Sequence, residues 1–260
     1  MVEIKVLGCY GSQLPGFNTT SFLLDGTVLV DAGTVVSVLT VEEQLRIDHV
    51  LITHVHLDHV RDLMFLADNI NLTARSQKPI EVASTPGIIH AMQEHLFNGV
   101  IWPDFSSIPT RNNPIISFEP LSLEVKREMG RFVVMPFTVS HTIETVGYLI
   151  EFDGGSIIFV GDTGPTNRLW EIARAQKDLK AIFIETSFDD SLQDIADRSG
   201  HLTPACLDME LKKLGRHVPD IYLFHMKPQY GLDRIRERVA QIKSRNIRIL
   251  KDGDVINING

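Results

Sequence analysis

Cysteine is almost missing. Cys9 and Cys206 are the only two in 260 residues, too few for a disulfide framework at this length, so free thiols and a reducing cytoplasm are expected. Long apolar runs are missing too, which excludes a membrane-spanning helix. The opening Met1-Val2-Glu3-Ile4-Lys5-Val6-Leu7 alternates like a strand and lacks the apolar core and cleavage site of a signal peptide. No Pro/Gly/Ser-rich linker, low-complexity tract or short-period repeat interrupts the chain, which reads as one domain, 1–260, of two similar layers. Basic charge is in deficit: the formal net charge is −8, against a broadly basic nucleic-acid surface. An anionic substrate therefore needs positive charge supplied locally, and metal ions can supply it.

What is present is organised around Thr53-His54-Val55-His56-Leu57-Asp58-His59, directly after the apolar run His49-Val50-Leu51-Ile52. The run reads as a buried strand that empties into a loop, with Asp58 expected to cap a helix from Val60 to Asn69. Alternate side chains of an extended segment share a face, so His54 and His56 can grip one cation while Asp58 and His59 reach another. Imidazole and carboxylate suit zinc first, with manganese or iron also compatible.

Around this loop, Ile4 to Cys9, Thr20 to Leu24 and Thr27 to Asp31 read as an antiparallel meander with a tight turn at Asp25-Gly26. Asp31, at the end of its third strand, either orients a ligand histidine or makes a local turn with Gly33. Val35 to Leu45 has helical spacing, Ile80 to Ala83 reads as a strand, and Pro86 opens a helix to about Phe97 with Thr85 as cap. His90 and His95 on that helix, like His49 and His217, read as ordinary structural or surface histidines. Phe97 to Phe105, with Trp102, is aromatic and aperiodic, suited to a pocket wall, a lid, a subunit contact or plain core. Ile115 to Phe118, Leu121 to Lys126 and Arg131 to Val139 are expected as strands of a second sheet.

The second half repeats one topology, an apolar strand followed by a ligand-type residue. His141 follows Val139-Ser140, Asp162 lies in Gly161-Asp162-Thr163-Gly164 after Ser156 to Val160, Glu185 ends Ala181-Ile182-Phe183-Ile184, and His225 follows Tyr222-Leu223-Phe224. Glycines let the backbone turn tightly at Asp162, whose two oxygens can bridge two cations. His201, in Ser199-Gly200-His201-Leu202-Thr203-Pro204, precedes a helix from Ala205 to Leu214, an amino terminus suited to phosphate.

Together these residues resemble the metallo-β-lactamase fold, whose signature is similar to His54-x-His56-x-Asp58-His59 followed by a distant histidine, a strand-end aspartate and a last histidine. Gly161-Asp162-Thr163-Gly164-Pro165, Ile184-Glu185-Thr186-Ser187-Phe188, the Ser199 to Pro204 loop, His225-Met226-Lys227-Pro228 and Asn98-x-x-Ile101-Trp102-Pro103 resemble the class II cyclic-nucleotide phosphodiesterases. The resemblance implies an α/β (α+β) fold, a four-layer αββα sandwich of two mixed sheets flanked by helices. It implies two divalent metal ions, one held by His54, His56 and His141, the other by Asp58, His59 and His225, with Asp162 bridging. A hydroxide between the metals would open a small 3′,5′-cyclic phosphodiester to the nucleoside monophosphate, with Asp58 near the nucleophile and His201, oriented by Glu185, steadying phosphate or protonating the leaving oxygen. Arg61 and Asp62 stand where that family tends to have a small residue and glycine, so a different pocket wall is expected. True β-lactamases usually carry cysteine at the place of Asp162, and the glycine-rich arm of ribonuclease Z is not evident. A ribonuclease Z-like, thioester or lactone hydrolase, and a non-catalytic nucleotide-binding module, are the alternatives. The aromatic Trp102 segment suggests a homodimer.

Overall fold

A computed structural model describes residues 1–71, 78–216, 218–243 and 245–260; His217 lies outside the described residues. Two seven-stranded sheets form its centre. The first runs, edge to edge, Val255–Ile258, Val2–Gly8, Ser21–Leu24, Val28–Val30, His49–Leu51, Ile80–Ser84 and Ile116–Pro120. The second runs Arg127–Met129, Phe132–Thr138, Val146–Phe152, Gly155–Phe159, Leu179–Glu185, Asp220–Phe224 and Ile247–Ile249. In that order each sheet makes antiparallel pairings up to its fourth strand and parallel ones beyond it. The parallel strands need crossovers, and helices such as Leu57–Asn71 and Arg168–Ala175 provide them.

The sheets meet through aromatic rings. Phe22 of the first sheet contacts Phe159, Phe183 and Phe224 of the second at centroid distances of 5.1, 5.8 and 5.3 Å. Apolar contact of this kind drives the layers together but does not fix direction. A buried hydrogen bond does: the Tyr148 hydroxyl donates to the Ile52 carbonyl at 2.6 Å, tying the second sheet to the strand that leads into the histidine loop. Among the described residues no helix is long and apolar enough to cross a membrane. Cys9 and Cys206 are both buried free thiols.

The expected Asp25-Gly26 turn is present, with φ of 46° and 69° at the two positions. Several other expectations need correction. The helix after the histidine loop spans Leu57–Asn71, so Asp58 lies within its first turn and does not cap it. Its carboxylate instead faces His225. Val35 to Leu45 is helical only over Val41–Gln44, because Asp62 takes the amides of Val35 and Val36 at 2.7 and 3.1 Å and Thr40 starts the helix through a reciprocal cap with Glu43. Ile116–Pro120 belongs to the first sheet, parallel to Ile80–Ser84, a long-range pairing that local pattern does not encode. Leu121 to Lys126 is not a strand despite its alternation: Leu123 and Val125 are exposed and Glu124 takes a left-handed φ of 61°. Thr85 occupies the cap position of helix Pro86–His95 but its hydroxyl binds Glu144 instead, at 2.5 Å.

Candidate metal centre

The site is assembled where strands end. Asp31 follows Val28–Val30, His54 follows His49–Leu51, Asp162 follows Gly155–Phe159, Glu185 closes its strand, and His225 follows Asp220–Phe224. Strands aligned in two facing sheets deliver these side chains to one rim, as ligands usually collect at strand carboxyl ends. His54, His56, His141 and Asp162 each offer an atom, all within 4.8 Å of one another, and so do Asp58, His59 and His225. Asp162, Glu185, His201 and His225 form a third group on the same distance. All seven residues expected as ligands thus converge, with Glu185 and His201 beside them.

Ring orientation shows what the cluster suits. The outward nitrogen of four imidazoles is held by a protein group: His54 Nδ1 by Thr53 Oγ1 at 3.0 Å, His59 Nδ1 by Asp31 Oδ2 at 2.7 Å, His141 Nδ1 by the Gly200 carbonyl at 2.9 Å and His225 Nδ1 by Ser187 Oγ at 2.9 Å. Those contacts fix the rings and turn their Nε2 atoms inward. There, His54 Nε2 lies 3.1 Å from His56 Nδ1, His141 Nε2 3.4 Å from the same atom, and His59 Nε2 3.2 Å from His225 Nε2. Among the described residues Asp162 Oδ1 is buried without a hydrogen bond, with His59 Nε2 3.4 Å away. Ring nitrogens crowded against one another around a buried carboxylate fit a pair of divalent cations, with nitrogen and oxygen donors suited to zinc.

The electrostatics agree. Burial pushes His54, His56 and His225 below the ordinary imidazole value, keeping them neutral donors. Burial also opposes charge on His59, yet the carboxylates of Asp162, Asp31 and Asp58 raise it well above that value. Desolvation works against an ionised Asp58 and Asp162, but the charged His59 beside them helps hold both well down. The pocket is built to hold positive charge.

His201 is placed differently. Its ring lies 5.3 Å from that of His225 in a stack and 5.1 Å from that of His141. Its Nδ1 donates to Glu185 Oε1 at 2.6 Å. Burial lowers its basicity, but the charge and hydrogen bond of Glu185 raise it net. Its Nδ1 is therefore already engaged, which suits a proton donor better than a ligand.

Asp31 turns out to do more than make a turn: besides His59 it accepts the Thr53 amide at 2.8 Å and the Thr53 hydroxyl at 2.9 Å. It and His225 both sit at left-handed φ, 58° and 65°, conformations that cost roughly 1–3 kcal/mol each in a non-glycine residue and persist only when their surroundings fix them. Ser187 was not singled out from the sequence. It lies two positions after Glu185 on a turning backbone, and only the fold shows that it reaches His225.

Asp62 anchors the 35–36 backbone, and Arg61, pinned by Asp62 Oδ1 at 3.0 Å, donates to Gln13 Oε1 at 3.1 Å. The same N-terminal loop is gripped from the other half, where Lys227 Nζ donates to the Gly11 carbonyl at 2.9 Å. A Cβ on Gly11 would come within 2.6 Å of His225 Cε1, so the loop lies flush against that ring. Of the Trp102 segment, Phe97 and Phe105 are core, while the Trp102 indole donates to the Met64 carbonyl at 3.0 Å and meets the exposed Phe65. His49 is buried near Glu81, and His90 and His95 are exposed beside Glu94, all away from the site.

Comparison with known proteins identifies the family and the fold. A 3′,5′-cyclic-nucleotide phosphodiesterase of Aliivibrio fischeri is 29% identical over 256 residues, covering 82% of this chain and 75% of its own. A ribonuclease Z of Archaeoglobus fulgidus is 22% identical over 240 residues, 72% of each. The crystal structure of unliganded yeast PDE1 superposes with a TM-score of 0.84 at 20% identity, covering 98% of both chains, a likeness of fold. Residues 14–201 match the Metallo-beta-lactamase superfamily. With that match spanning most of the chain, and two mixed sheets carrying a His/Asp cluster that can bind metal, the protein belongs to the metallo-beta-lactamase superfamily and has its hydrolase fold.

Proposed function

We propose that the protein is a dinuclear metal-dependent phosphodiesterase that opens a 3′,5′-cyclic nucleotide to the nucleoside monophosphate. The observation that carries this is His201, stacked beside the cluster with Nδ1 committed to Glu185, so that Nε2 is the atom left for a substrate. The likeness to the Aliivibrio fischeri enzyme supports the substrate class.

His54, His56 and His141 would hold one cation, Asp58, His59 and His225 the other, and Asp162 both. When bound, two divalent cations supply an acidified water and neutralise charge gathering on phosphorus. Asp58, a quarter exposed, accepts a hydrogen bond from the attacking water and orients it. As the phosphorus–oxygen bond on the far side breaks, His201 Nε2 gives its proton to the departing alkoxide, and Glu185 stabilises the ring through Nδ1. Two buried free thiols accord with a reducing cytoplasm. Exposed Val100 and Ile101, next in sequence to the Trp102 that meets exposed Phe65, favour a homodimer; sedimentation showing monomer alone at micromolar concentration would remove that part.

The test is a panel of cyclic AMP, cyclic GMP, bis(p-nitrophenyl) phosphate, a thioester and a lactone, with metal content measured on the same sample. Cyclic nucleotide turnover abolished by chelation is expected. Faster turnover of the thioester or lactone would assign the site to carbonyl chemistry. The ribonuclease Z likeness favours a second reading, processing of a transfer-RNA precursor, which the same protein tests with a labelled RNA.

A further inference from the structure

Glu185 is fully buried, and both of its oxygens are in use. Oε1 accepts from His201 Nδ1 at 2.6 Å and from the Thr163 amide, next to Asp162, at 3.1 Å. Oε2 accepts from the Ser187 hydroxyl at 2.7 Å and from the Leu202 amide at 3.4 Å. A serine hydroxyl has one proton, and the carboxylate is its strongest available acceptor. With that proton directed to Glu185, the lone pairs of Ser187 Oγ remain to accept from His225 Nδ1, 2.9 Å away. The longer approach of His201 Nδ1 to the same oxygen, 3.3 Å, is secondary to its bond with Glu185.

We propose that Ser187 is a positioning residue: it passes the orienting effect of Glu185 to His225, so that one buried carboxylate sets both the proton-donating imidazole and a metal-facing one. The chain runs Glu185 Oε2, Ser187 O–H, His225 Nδ1–H, and aims His225 Nε2 between Asp58 Oδ2 and Asp162 Oδ2, each 3.2 Å away, where a bound cation would take its lone pair. The same arrangement occurs independently in the first half. There Asp31 grips His59 directly at 2.7 Å and His54 through the Thr53 hydroxyl, at 2.9 Å and then 3.0 Å. Carboxylate, hydroxyl and imidazole recur with the same hydrogen-bond sense, and both hydroxyls are buried where no water competes for the acceptor.

This rests on the assignment of His225 as a ligand, and the experiment separates the two. Zinc is titrated against a chromophoric chelator into metal-free wild type, Ser187→Ala and Ser187→Thr, and the His225 Nδ1 proton is followed in the zinc-loaded proteins by proton–nitrogen NMR. The expected result is that S187A binds one zinc as wild type does and the other about 10–100-fold more weakly, the usual scale for losing an outer partner. Its His225 Nδ1 proton loses the downfield shift of a hydrogen-bonded N–H and exchanges faster with water, and S187T, which restores a hydroxyl, recovers both readouts. Wild-type affinity at both sites in S187A, with His225 unchanged, overturns the role of Ser187 and leaves the site assignment standing. Equal loss at both sites without recovery in S187T also overturns it, as the mark of a general collapse. Wild type that takes up no pair of zinc ions removes the site assignment and this inference together.

Discussion

The two halves of the molecule reach the same rim by opposite means. The first concentrates four ligand-type side chains in positions 54 to 59, on one strand end and the first turn of helix Leu57–Asn71. The second delivers His141, Asp162, Glu185 and His225 singly, each from a different strand end. A contiguous loop survives small shifts of the scaffold as a unit. Scattered groups depend on the register of every strand between them, so the second half should be the more sensitive to distant change and the first to local substitution.

The largest effect should come where the halves meet. Asp162→Ala removes the carboxylate shared by both groups, so metal content and turnover should fall together, turnover to the level of chelator-stripped wild type; metal analysis beside a kinetic assay checks it. Full metal with normal turnover would show that the halves work without a shared group. His201→Ala should keep both cations and lose about 10²–10⁴-fold in turnover, the range for an acid–base group. Metal loss in that variant would move His201 into the ligand set. In the first half, Asp31→Asn should weaken metal binding by roughly 10–100-fold, because it loosens His59 directly and His54 through Thr53; competition with a chelator measures it, and an unchanged affinity would mean the loop is held by its own backbone. The smallest effect is at the seam. Tyr148→Phe removes one hydrogen bond to Ile52, whose carbonyl keeps that of Ser84 Oγ at 2.7 Å. It should cost about 0.5–1.5 kcal/mol, a fall of a few degrees in thermal midpoint at about 2–4 °C per kcal/mol.

The same contrast decides what was legible beforehand. His54, His56, Asp58 and His59 announce themselves because adjacency in sequence is adjacency in space. Asp162, His141 and His225 were found from a repeated context, apolar strand then polar residue, and the sandwich followed from resemblance of those motifs. Ser187 and the bond from Thr53 to His54 were not, since a hydroxyl gains its role only from what the fold sets against it. The membership of Ile116–Pro120 in the first sheet was misread for a related reason: its partner, Ile80–Ser84, lies beyond helix Pro86–His95, and parallel pairing leaves no mark on local alternation. The helix start at Leu57 was missed because Asp58, which looks like a cap, is drawn instead toward His225.

Gly11 lies against the His225 ring with less room than a methyl group needs, while its carbonyl is held by Lys227. That fit makes the N-terminal loop a feeler gauge for the last histidine. Alanine there must displace either the loop or the imidazole, so two ends of the chain more than two hundred positions apart have to vary in concert, and a drifting lineage could change one only after making space at the other.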